Sequence, residues 1–76
     1  MNTIISEECL SHISNEELIK RIKDRGVYLY MYDGTMNEVR IKDLISLDVL
    51  TAKLVDYTGL TFLRQTIKSI EIMEEA

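Results

Sequence analysis

The chain has 76 residues, 46% hydrophobic and 29% charged, with a formal net charge of −4 and a sequence pI near 4.8. That length suits one domain and excludes two, and the composition excludes wholesale disorder. The acidic balance argues against a nucleic-acid surface, where affinity comes largely from neutralised phosphates.

A chain this short buries only about 60% of the surface its unfolded form exposes, so self-association is an open route to further burial. Its one cysteine, Cys9, allows no internal disulfide and fits a reducing compartment. The first residues lack a basic stretch and a long apolar run, and no apolar run approaches the ~20 residues of a membrane span. The expectation is a single cytoplasmic domain over residues 1–76, with no membrane contact.

Residues 1–13 form an N-terminal segment in which Ser6 can cap a turn carrying Glu7 and Glu8, with Ile5 and Leu10 as its staple. A short helical turn near residues 7–11, or a frayed end, is expected. Ser14-Asn15-Glu16-Glu17 matches a capping box, and Ile13 and Leu18 occupy the staple positions. Leu18, Ile19 and Ile22 make an apolar stripe at helical spacing. Lys20, Arg21, Lys23 and Arg25 place positive charge on the last turns, and Gly26 follows at a stop position. These signals predict a helix over residues 14–25.

After Gly26 the period changes. Val27-Tyr28-Leu29-Tyr30-Met31-Tyr32 alternates aliphatic and aromatic residues, as a strand does. Asp33-Gly34 signals a tight turn, and residues 36–42 continue with Val39 and Ile41 facing one side. Residues 43–57 fit either a helix or a turn followed by a strand over 49–56, with Leu50, Ala52 and Leu54 inward. The β-branched Val49, Thr51 and Val55, and a hairpin closing at Thr58-Gly59, favour the strand. Two further short strands are expected over 60–65 and 69–73, then a solvated tail over 74–76. The fold class is α+β, mostly β: an N-terminal capped helix followed by five short strands over 27–73. Such strands meeting at tight turns suggest a partly closed barrel, which leaves few exposed edges.

The strand, Asp33-Gly34, and the strand running into Ile41-Lys42-Asp43-Leu44-Ile45-Ser46 resemble an Sm-like or SH3-like small barrel. Arg64 and the run Ile67-Lys68-Ser69-Ile70 are similar in pattern to the Rof family of small acidic proteins. That resemblance implies an Sm-like fold with an N-terminal helix and inhibition of the transcription terminator Rho. The same strand-turn-strand pattern occurs in WYL-type ligand-binding modules and in Hfq-like RNA chaperones, and a fold does not determine a function.

Cys9 and His12 lie three residues apart, but the chain has no other Cys or His to complete a nucleophile or a zinc site. Acid pairs such as Glu74-Glu75 are sequence neighbours, which do not face each other in a helix. There is no Gly-rich phosphate loop. The expectation is therefore no enzyme, no metal and no cofactor.

Tyr28, Tyr30 and Tyr32 share one face of their strand and offer broad rings with polar tips, suited to an interface unless the helix covers them. With the acids Glu7, Glu8, Glu16 and Glu17 they make the expected partner-binding set. The corresponding function is a regulatory protein-binding module whose partner has a basic groove, such as Rho. The alternative is an Hfq-like RNA-binding module forming an oligomeric ring, carried by Arg40, Lys42 and Arg64.

Overall fold

A computed structural model describes residues 2–45, 48 and 50–74. The described chain runs β1 (Thr3–Ile5), α1 (Glu7–His12), α2 (Asn15–Ile22), β2 (Gly26–Met31), β3 (Met36–Ile45), β4 (Lys53–Asp56), β5 (Thr61–Leu63), a 3-10 turn (Arg64–Thr66) and β6 (Ile67–Ile72). The class is α+β and mostly β. The six strands form one antiparallel sheet in the order β1-β6-β2-β3-β4-β5, which does not close on itself.

Among the described residues six strands stand where five were expected. The additional one is β1, whose pairing with β6 (Thr3 with Ile72, Ile5 with Ile70) joins opposite ends of the chain and leaves no local signature. Ser6 caps α1 as anticipated, its hydroxyl accepting from the Cys9 amide at 3.1 Å.

Ser14 caps α2 by accepting from the Glu17 amide at 3.1 Å. The reciprocal half of the capping box is replaced, because the Glu17 carboxylate pairs with Arg21 at 3.1 Å. The helix stops at Ile22, short of the expected Arg25. Asp24, not Gly26, takes the left-handed conformation (φ 63°) that ends the helix. Tertiary pairing captures the chain there: the Asp24 amide donates to the Ile41 carbonyl at 2.7 Å, and the Ile41 amide donates to the Arg25 carbonyl at 3.2 Å. Gly26 opens β2 instead, and a Cβ at that position would meet the Met73 Cε at 2.8 Å.

The two tight turns share a design. Gly34 (φ 89°) and Gly59 (φ 92°) supply the positive φ, and a carboxylate one or three residues earlier ties the loop. Asp33 accepts from the Thr35 amide and hydroxyl. Asp56 accepts from the Thr58 amide, the Thr58 hydroxyl and the Leu60 amide. Asp56 is buried, and these donors hold its carboxyl below the usual aspartate value, the Thr58 hydroxyl foremost.

In the ambiguous stretch, β3 runs on to Ile45, past a register shift between Ile41 and Asp43, and the following strand is only Lys53–Asp56. Ala52 and Leu54 are buried as expected, whereas Leu50 is 71% exposed. Ser46, Leu47 and Val49 lie outside the described residues, as do Met1, Glu75 and Ala76 of the termini. The last strands are Thr61–Leu63 and Ile67–Ile72, with the 3-10 turn taking Arg64 and Gln65, the end of the strand expected over 60–65.

The core lies on one face of the sheet. Ile5, Val27, Leu29, Ile41, Leu54, Ile70 and Ile72 point there and meet Leu10, Leu18 and Ile22 from the helices. The apolar stripe of α2 enters this core over β3, on the side of the sheet that carries Val27 and Leu29, and the tyrosine face looks the other way.

Candidate interaction surface

Strand alternation places Gly26, Tyr28 and Tyr30 on the outer face of β2, opposite buried Val27 and Leu29. Register then determines their neighbours. Ile4, Glu71, Tyr28 and Glu38 lie side by side across β1, β6, β2 and β3. The adjacent row holds Ser69, Tyr30 and Met36, and Arg40 stands across from Gly26 at the end of the face. Directly opposed cross-strand residues have Cβ atoms about 4.5–5.5 Å apart, so these side chains form a continuous surface. Ile4 is 66% exposed, Met36 50% and Tyr30 37%, so the face carries reachable apolar and aromatic area.

Glu71 is held in place at the centre of this face. The Tyr30 hydroxyl donates to one carboxylate oxygen at 2.8 Å and the Asn2 amide donates to the other at 2.8 Å. Both bonds favour the ionised form and lower the Glu71 carboxyl, with the Asn2 bond the larger cause. Conversely, the bond to Glu71 raises the Tyr30 hydroxyl above its ordinary value. Both groups are therefore kept in their usual charge states near neutrality.

The expected partner-binding residues do not form one site. Tyr28 and Tyr30 sit on the outer face, while Glu7 and Glu8 open α1 and Glu16 and Glu17 open α2, the helices on the inner face. Glu17 is engaged with Arg21. Tyr32 lies beyond the end of β2 in the turn, where a hydrogen bond with Glu7 raises its hydroxyl. It is exposed there beside a recess of about 160 Å³ bordered by Leu10, Ile67 and Lys68. That is smaller than the ~300 Å³ at which small-molecule sites begin.

The alternative basic set is also divided. Arg40 and Lys42 are exposed on β3, but Arg64 is 5% exposed. Its guanidinium donates to the Leu10 carbonyl at 2.7 Å, the Ile13 carbonyl at 2.6 Å and the Asn15 side-chain oxygen at 2.5 Å. Arg64 thus satisfies carbonyls where α1 ends and α2 begins and ties that corner to the 3-10 turn. Burial lowers its pKa, but guanidinium remains charged in proteins. A side chain so occupied is not presented to a phosphate backbone.

Cys9 is half-buried with the Arg21 guanidinium 3.8 Å from its sulfur, and His12 is exposed at the last turn of α1. Among the described residues no His, Cys, Asp and Glu side chains gather as a metal site, and no helix is long and apolar enough to cross a membrane.

Sequence reasoning missed Glu71, Glu38, Ile4 and Met36 as companions of the tyrosines. One signal was present: an acid between the apolar Ile70 and Ile72 marks the solvent face of a strand. Which aromatic residues that face would carry depended on β6 pairing with β2, a contact between the two ends of the strand-rich region. Comparison with known proteins finds no matching family model, no matching curated protein and no matching solved structure.

Proposed function

We propose that this chain is a small acidic binding module with no catalytic role, docking a protein partner through the outer face of its sheet. The observation that carries the reading is the outward placement of Tyr28 and Tyr30 beside exposed Ile4 and Met36, with both helices packed on the opposite face. Aromatic rings with polar tips are enriched at interfaces because they bury area at low entropic cost and still satisfy a hydrogen bond. The acids of α1 and α2 lie away from that face, so their contribution is long-range: a negative field that speeds encounter with a basic partner.

The finer form of the proposal is a cytoplasmic regulator whose partner is a nucleic-acid-binding machine such as Rho, as the Rof resemblance implies. It reads β2 to β6 as an Sm-like or SH3-like small barrel. Support comes from the last of these strands returning beside the first, and from the irregular register inside the long β3. The Hfq-like reading has less support, since Arg64 is engaged by Leu10, Ile13 and Asn15.

The test is affinity purification from the native cell with wild type, a Tyr28→Ser/Tyr30→Ser double variant and a Glu16→Gln control. Wild type and control should recover the same basic protein and the tyrosine variant should not, while circular dichroism shows all three folded. Equal recovery by the tyrosine variant refutes the outer-face reading. Unchanged Rho-dependent termination on overexpression refutes the Rho assignment.

A further inference from the structure

The outer face has a chemistry more specific than an acidic surface. Register puts Tyr28 directly between Glu71 on β6 and Glu38 on β3. The aromatic ring is thus flanked on both sides by a carboxylate of a neighbouring strand. Glu71 is oriented by two neutral donors, the Tyr30 hydroxyl and the Asn2 amide, and these leave its negative charge in place. Neighbouring strands lie about 4.8 Å apart, so the two acids are separated by roughly twice that, with the ring between them. Tyr28 is half-buried and Tyr30 is 37% exposed, so the rings are reachable while their bases are supported. The cation Arg40 lies on the same face but at its end, opposite Gly26.

We infer that this face recognises an arginine side chain of a basic partner segment, its guanidinium lying on the Tyr28 ring between the carboxylates of Glu71 and Glu38. The inference rests on the reading that the outer face binds a partner, and it specifies the chemistry of that partner. Two features select guanidinium over ammonium. A planar cation stacks on a tyrosine face, where a compact, strongly hydrated ammonium gains less. Its fork of donors can reach carboxylates on two sides at once, which a single ammonium centre cannot do with the same planar geometry. Ile4 and Met36, exposed at the border of the acids and rings, offer apolar cover for the methylene stem of an arginine and for its sequence neighbours.

The experiment uses the full chain and two synthetic peptides of equal length, an oligoarginine and an oligolysine, followed by amide NMR shifts and calorimetric affinity. Oligoarginine should shift the amides of Tyr28, Glu38 and Glu71 and bind more tightly than oligolysine, with affinity falling as salt is raised. Tyr28→Leu should weaken oligoarginine binding roughly three- to fivefold. Glu38→Gln/Glu71→Gln should weaken it roughly three- to tenfold and abolish the preference over oligolysine. Gln65→Ala, a neutral change at an exposed position of the 3-10 turn, should leave both unchanged. The glutamate pair tests the inference even if Tyr28→Leu fails to fold. Equal affinity for the two peptides, or shifts confined to α1 and α2, overturns it. Such a failure is distinct from failure of the outer-face reading, because partner capture by the tyrosine variant is scored separately and on a whole protein.

Discussion

The two faces of β2 are built from alternate residues of one six-residue strand and do different work. Val27 and Leu29 are fully buried in the core that Leu18 and Ile22 of α2 also enter, and their contribution is stability. Tyr28 and Tyr30 stand over a sheet that is already folded, beside two carboxylates, and their contribution to the core is slight. The difference teaches where to look for function in a domain this small. The face that the helices need is spent on folding, and the face they leave open is free to be shaped by a partner.

Breaking the inner face should have the largest effect. Leu29→Ala or Ile22→Ala removes a fully buried side chain and should cost about 2–5 kcal/mol. A core of this size rarely supplies more than ~3–5 kcal/mol in total, so urea melts should find either variant largely unfolded at room temperature. Arg64→Met comes next. It leaves the Leu10 and Ile13 carbonyls without their donor, and about 2–3 kcal/mol should be lost in the same assay. Substituting Arg64 by Lys should restore part of that, since an ammonium can reach fewer of the three acceptors.

Ser14→Ala removes the cap of α2 and should cost about 1 kcal/mol. Because α2 carries the inner-face stripe, the loss should appear in the melt without altering oligoarginine binding to the native protein.

The acid limb of stability sharpens the comparison further. Asp56 titrates below its ordinary value of 3.8 in the folded chain. A depressed carboxyl contributes stability that is present above the unfolded value and disappears as pH falls through the folded one. Asp33, Asp48 and Glu71 are lowered as well and add to the same limb. Asp56→Asn should therefore be less stable than wild type at neutral pH, with the gap narrowing as the pH drops below 3.8, measured by thermal melts across acid pH.

The smallest stability effect belongs to the outer face. Tyr30→Phe loses the bond to Glu71 but keeps the ring, so its urea midpoint should match wild type within error. The Glu71 carboxyl should titrate nearer to its ordinary value by NMR, because one of its two donors is gone. A destabilisation comparable to Leu29→Ala would mean that the two faces are not separable in the way described.

What the residue order determined by itself was local. Ser6 and Ser14 start their helices, Gly34 and Gly59 take the positive φ of their turns, and alternation sorts β2 into an aliphatic and an aromatic face. Each depends on chemistry within a few residues, so a linear reading suffices. What only the tertiary structure decided is which face the helices cover, because both aliphatic and aromatic faces offer apolar area and the choice depends on how Leu18 and Ile22 fit the space. The helix end at Asp24, the strand Thr3–Ile5, the burial of Arg64 and the pairing of Tyr30 with Glu71 are of the same kind. Each is made by partners between about fifteen and seventy positions away in the chain, and loop closure brings such groups together for reasons that no short window of sequence contains.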